Sequence, residues 1–263
     1  MDLATVIGVI MGLIAVGVGM VLKGVDISVL VNPAAILIII VGTVAAVTIA
    51  FPMSELKKVP QLFKILFTNQ KMTSNQELIK LFSDLAQLAR KEGLLALEVR
   101  INDIDDSFLK SGLTLAVDGQ NADYIRDVLS EEIEAMEERH QAGAQIFTQA
   151  GTYAPTLGVL GAVIGLIAAL GDMSDTVSLG HAISAAFVAT LLGIFTGYVL
   201  WHPFANKLKR KSQIEVQYKY MIIEGILSIL EGEAPRVIEQ KLASYLPAGE
   251  RVKLLESGVD NYE

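Results

Sequence analysis

The feature that most constrains this chain is a set of four stretches, each long enough to cross a bilayer and empty of acidic and basic side chains. They are centred on Leu3 to Leu22, Pro33 to Phe51, Thr152 to Leu170 and His181 to Phe204. Crossing the roughly 30 Å hydrocarbon layer takes about 20 helical residues. Lipid cannot hydrogen-bond a bare backbone, so each stretch is expected to be a helix. Composition agrees, because 52% of the residues are hydrophobic and they fall in long blocks rather than short periodic runs. The expected class is all-α: a polytopic membrane protein with four transmembrane helices and a helical cytosolic domain.

The first stretch reads as a retained span. It lacks a basic n-region, exceeds the usual length of a signal h-region, and Val21-Leu22-Lys23 is a poor cleavage site. With no cysteine in the sequence, disulfides and thiolate metal sites are excluded. Lys57, Lys58 and Lys64 follow the second span, and Lys207, Lys209, Arg210 and Lys211 follow the fourth, whereas the link around Asp172 and Asp175 has no basic residue. The positive-inside rule therefore puts both long polar segments in the cytosol. An even number of spans brings the N-terminus to the same side, although Asp2 gives that end no support and Lys23 is a mild exception. The division is 1–52 for spans one and two, 53–150 for a cytosolic helical segment, 151–205 for spans three and four, and 206–263 for a cytosolic helical tail.

Within the middle segment, Leu78, Leu81, Phe82, Leu85, Leu88 and Ala89 recur at helical spacing, with Asn75 as the expected N-cap and Gly93 as the expected C-cap. A second pattern, NADYIRDVLSEEIEAMEERHQAGAQIF, runs towards span three. In the tail, Pro235 suits a first helical turn.

No nucleotide-binding glycine loop and no HExxH occurs, so no enzymatic chemistry and no cofactor is expected. His140 lies in an acidic helix, and His181 and His202 sit at membrane ends. They read as interfacial polar residues, since none has a second histidine at helical spacing and the one carboxylate so placed, Glu137 three residues before His140, belongs to the acidic run itself. The acidic runs DDSFLK and SEEIEAMEERH lack the ligand order of a calcium loop and read as solvated faces. A net charge of −8 gives no case for nucleic acid. Ion-driven transporters normally keep an ionisable residue at membrane depth; these spans keep none.

Span three instead puts Gly151, Ala154, Gly158, Gly161, Ala162, Gly165, Ala168 and Ala169 largely on one side, and span four repeats the design with Ala182, Ala186, Ala189, Thr190, Gly193 and Gly197. Gly8/Gly12, Gly161/Gly165 and Gly193/Gly197 have GxxxG spacing, which permits close helix approach. Helix packing within the chain is one reading of these faces. The other, suggested by the hydroxyls of Thr156, Thr190 and Thr196, is a smooth surface along which a partner's helix lies and supplies the missing charge. Pro155 and Pro203 are expected at similar depth near the inner face, either permitting a kink or merely tolerated at helix ends.

Several segments, in order, resemble one family: VNPAAILIIIVGT, QLARKEGLLALE, EAMEERHQAGAQIFTQAGTYAPTLGVLGAVIGLIAAL, LGHAISAAFVATLLGIFTGYVLWHPFANKLKRKS and EGEAPRVIEQKL. Spread over nearly the whole chain, they are similar to the MotA stator subunits of the bacterial flagellar motor, in the proton-type branch of Gram-positive bacteria. The resemblance implies a homo-oligomeric ring in the cytoplasmic membrane around a dimer of MotB. That partner's membrane aspartate carries the proton, and its outer domain grips peptidoglycan. Inward proton flow would then turn the ring, and the cytosolic part would push the rotor protein FliG. By resemblance, the family's proline pair falls on Pro155 and Pro203 and its charged rotor-contact pair on Arg90 and Glu98. Thr190 takes the hydroxyl position near the ion path, and Ala162 stands where sodium-type members carry threonine. Without the resemblance, Arg90 and Glu98 read as a solvated helix end. An energy transducer of the ExbB/TolQ kind is the related alternative, but its members have three spans with the soluble segment after the first. A self-sufficient channel would need its own polar pathway, and a passive scaffold would not need the prolines.

Overall fold

The structure, a computed structural model, describes residues 2–68, 72–171 and 176–251. Asp172 and Asp175, used above for topology, lie outside the described residues. Among those residues the fold is helical throughout: α1 (Leu3–Leu22), α2 (Pro33–Ala50), α3 (Val59–Phe67), α4 (Asn75–Glu92), α5 (Leu97–Ile101), α6 (Ser107–Val117), α7 (Ala122–Gly171), α8 (Thr176–Leu230) and α9 (Pro235–Ala243), with short helical turns between. Four of these helices, α1, α2, α7 and α8, are long and apolar enough to cross a membrane. The second amphipathic pattern and the third charge-free stretch are thus one helix of 50 residues. The fourth stretch continues just as directly into the basic segment that follows it.

Helix ends follow local chemistry. Asn75 is not the cap of α4. Ser74 is, because its hydroxyl accepts from the Glu77 amide at 3.2 Å while the Glu77 carboxylate accepts from the Ser74 amide at 3.0 Å. This reciprocal box satisfies two amides where a lone Asn75 cap would satisfy one. Gly93 ends the helix as expected, with a φ of +89° that a side chain would disfavour. Asp106 caps α6 by accepting from the Phe108 and Leu109 amides, which gives one member of the acidic run a structural task. Pro235 opens α9.

The chain divides into two compact units, Met1–Gln70 with Arg139–Lys211 and Lys71–Glu138 with Ser212–Glu263. In the second, Phe82 and Leu85 of α4, Leu109 and Leu113 of α6, Ile125 and Leu129 of α7, Ile222 and Ile226 of α8 and Ile238 and Leu242 of α9 form one core. Lys241 of α9 is drawn to Glu224 at 2.7 Å and Glu233 at 3.3 Å, tying α9 to the end of α8.

The membrane unit has the opposite character. Large aliphatic side chains such as Ile7, Met11, Ile14, Val44 and Ile49 are exposed, which suits a hydrocarbon surround. Towards the Phe51 end of α2, the rings of Phe63, Phe147, Trp201 and Phe204 meet edge-on or tilted at 5.1 to 6.4 Å and join α3, α7 and α8. Charge gathers at the N-terminus of α1. Asp2 caps α1 through the Thr5 amide, pairs with Lys207 at 2.9 Å and Lys211 at 3.2 Å, and donates its own amide to the Phe67 carbonyl. Lys211 also donates to the carbonyls of Ile65 and Thr68. These bonds put the chain's start beside the segments that follow the second and fourth spans. Hence Asp2, which by charge alone argued nothing about topology, is what fastens the N-terminus to that side.

The hydrogen bond from Lys207, helped by Lys211 and the Thr5 amide, overcomes burial and holds the Asp2 carboxyl at about 2, below its ordinary 3.8. Because the folded value is depressed, the stabilisation is complete above about pH 4 and is lost as pH falls towards about 2. Thermal unfolding of the native protein and Asp2→Asn should differ at pH 7, and the gap should close across that acid window.

Candidate functional site

Two places gather the residues singled out by sequence. The first is the contact between the membrane halves of α7 and α8. Pro155 lies inside α7 and has no amide to give the Gly151 carbonyl four residues back. On α8 the backbone of Gly197 fills this spot: a Cβ built there would stand 2.8 Å from the Gly151 oxygen and 2.7 Å from Pro155 Cγ. Further along, a Cβ on Gly193 would stand 2.8 Å from the Ala154 oxygen, and one on Gly158 would stand 2.9 Å from the Ala189 oxygen. Only glycine lets the two backbones come this near, and the Cα–H groups so placed face carbonyl oxygens. Gly165 continues the seam against Ala182 and Ala186, and Gly161 adds Ala189 and Ile38 of α2.

The small-residue faces are therefore taken up inside the chain, and the packing reading holds for them. Within that seam each glycine face is the complement of the other, while Thr152, Thr156 and Ala168 of α7 stay exposed outside it. The bulky side chains that α7 and α8 leave exposed are Val159, Leu160, Val163, Ile164 and Ile167 on one and Phe187, Ile194 and Tyr198 on the other.

Among the polar candidates, Thr156 is exposed on α7, its hydroxyl donating to the Tyr153 carbonyl at 2.7 Å. Thr190 is half-buried on α8 and donates to the Ala186 carbonyl at 3.4 Å, and Ala162 is half-buried on α7. Pro203 does not share the Pro155–Gly197 contact. It is exposed and, with Ala4, Thr5, Gly8, Tyr198 and Lys207, lines a groove of about 420 Å³ beside α1. Just before it, residues Thr196–Trp201 form a π turn, in which the His202 amide reaches five residues back to Gly197. The wider turn accommodates a proline ring inside a helix. The His202 ring itself packs on Gly151 and lies 5.2 Å from that of Tyr198.

The second place is the end of α4. Arg90 sits in its last turn and Glu98 in α5, on either side of the Gly93 corner, both exposed and neither in an ion pair with another described residue. Leu95 and Val99, which sequence reasoning passed over, stand beside Glu98 at 72% and 73% exposure. Their signal was present as two aliphatic residues four apart in a segment otherwise ending a polar helix.

Comparison with known proteins covers both places. Residues 100–221 match the MotA/TolQ/ExbB proton channel family, and residues 6–93 match the motility protein A N-terminal family. Motility protein A of Bacillus subtilis is 69% identical over 258 residues, covering 98% of this chain and 96% of that protein. Among solved structures, the flagellar MotAB stator complex from Bacillus subtilis superposes with a TM-score of 0.91 at 70% identity, covering 94% of this chain and 97% of that one. The MotAB structure of C. jejuni gives 0.90 at 32% identity over the same shares.

If the α7–α8 seam depends on backbone approach, Gly158→Ala should lower stability by about 1–3 kcal/mol, as overpacking against main chain does. Gly8→Ala, whose Cβ would meet nothing within 4 Å, should be nearly silent. Melting of the detergent-solubilised protein distinguishes them, and equal melting points would rule out the seam as a stabilising contact.

Proposed function

Because the chain belongs to the MotA/TolQ/ExbB proton channel family, we propose that it is a stator subunit of a flagellar motor, working as an oligomer with a MotB partner to couple proton flow to torque. One observation carries the mechanism: the four spans of this multi-pass membrane protein contain no Asp, Glu, Lys or Arg. A proton crossing the hydrocarbon layer needs a titrating group at depth, and here it comes from the partner, as an aspartate on a single membrane helix anchored outside the cell.

In this reading the chain contributes an uncharged wall. The residues next to the ion path are Thr156 and Thr190, with Ala162 leaving out a hydroxyl that would help coordinate sodium. Protonation of the partner's carboxylate changes what its surroundings must solvate, and Pro155 and Pro203 mark the helix segments able to respond. Pro155 reduces the ladder of α7 by one bond at the contact with Gly197. Pro203 follows the π turn of α8. Either irregularity can shift at lower cost than a fully bonded helix.

The polar segments lie in the cytosol with both termini, and Arg90 and Glu98 meet the rotor protein FliG. Exposed charges in no ion pair with another described residue suit contacts that must form and release quickly. The energy source is the proton gradient across the cytoplasmic membrane, without a cofactor.

The test is ion flux in liposomes. With the partner, proton uptake should follow the imposed gradient; without it, or with the partner's aspartate changed to asparagine, uptake should cease. Flux through this chain alone would overturn the borrowed-carrier mechanism. Swimming should stop in Arg90→Glu and recover in part when a complementary charge is placed on the rotor.

A further inference from the structure

Two buried polar atoms in the membrane unit lack a hydrogen-bond partner, the Thr43 hydroxyl and the Trp201 indole nitrogen. Thr43 is 3% exposed. Its behaviour is unlike that of other threonines in the same unit: Thr48, Thr148, Thr152, Thr190 and Thr196 all donate to the carbonyl four residues back. An indole N–H can only donate, whereas a hydroxyl can donate and accept. Each group left unpaired costs about 1–3 kcal/mol.

The two groups belong to one region. Thr43 lies one turn from Ile39 and one turn from Val47 on α2, and Trp201 packs against both the cluster containing Ile39 and the cluster containing Val47. Backbone irregularity converges there as well. A π turn of α2, Leu37–Val41, ends two residues before Thr43, and the π turn of α8, Thr196–Trp201, ends on the tryptophan itself. In the latter, the His202 amide reaches Gly197, and residue 203 is a proline without an amide. Neither therefore supplies the carbonyl of Tyr198, a further acceptor in the turn that carries the indole.

We propose that Thr43 and Trp201 bind a water molecule inside the membrane unit, between the π turns of α2 and α8. The water accepts from the indole N–H and bonds the threonine hydroxyl, satisfying two groups that the protein alone leaves bare. Buried waters are held by two to four such groups, and a purely apolar cavity would stay dry. Such a water makes the joint between α2 and α8 a hydrated one, a single helical turn from Gly197 and its contact with Pro155. Water-bridged groups can exchange partners as helices shift, whereas a dry seam such as Gly158–Gly193 has no such freedom.

Trp201 is the only tryptophan in the sequence, so it reports on the site directly. The difference spectrum between native and Trp201→Phe assemblies isolates its signal even with a partner present. Ultraviolet resonance Raman should show a hydrogen-bonded indole N–H in the native assembly. Thr43→Ser should keep that signature, and Thr43→Val, equal in shape, should move it to the free position and shift fluorescence emission to the blue. A free N–H in the native assembly, or an unchanged spectrum in Thr43→Val, would overturn the proposal. Should Thr43→Val fail to assemble, high-resolution density of the native assembly decides: a solvent peak within hydrogen-bond distance of both atoms supports the site, and a direct Thr43–Trp201 bond or no peak refutes it. Because none of these readouts uses ion flux or swimming, they can fail while the stator reading stands.

Discussion

Everything in the membrane unit answers to the fact that hydrocarbon offers no partner to a peptide group. The four charge-free stretches must be helices, and where a helix cannot complete its ladder the neighbouring chain has to compensate. At Pro155 the freed Gly151 oxygen is met by the bare backbone of Gly197. At Pro203 the ladder adjusts through a π turn instead. The row of glycines follows from the same constraint, since without a hydrophobic drive between helices in lipid, association relies on close van der Waals approach.

Charge is then pushed to the ends. Asp2, Lys207 and Lys211 form an ionic cluster just outside the first span, where carbonyls of Ile65, Phe67 and Thr68 share the load. Between the ends, the described polar side chains include threonine hydroxyls, the Trp201 indole and the His202 ring packed on Gly151. In the proposed mechanism such a wall surrounds a titrating group brought by another chain and adds no competing charge near it.

Much of the fold was legible beforehand, for reasons that differ from element to element. The first span needed only its length and its lack of charge, and its helix runs from Leu3 to Leu22 as read. Gly93 and Pro235 were legible because positive φ and a missing amide have few uses at helix ends. The cap of α4 was misplaced by one residue, since Ser74 gains from a reciprocal bond with Glu77 that a single-residue preference does not weigh. At the candidate site, the identity of the small residues was readable but their partners were not. A GxxxG spacing states that something approaches closely and leaves open whether it comes from the same chain.

Sequence alone determined that this protein has four stretches long and apolar enough to span a membrane, that helices end at Gly93 and begin at Pro235, and that those stretches hold no Asp, Glu, Lys or Arg, because hydropathy, backbone preference and charge are properties of residues in a row. Tertiary structure decided which glycine faces which carbonyl, that Asp2 ties the N-terminus to Lys207 and Lys211, and that Thr43 and Trp201 come to share one buried region. Those outcomes depend on distances between atoms far apart in the chain, over which neighbouring residues have no say.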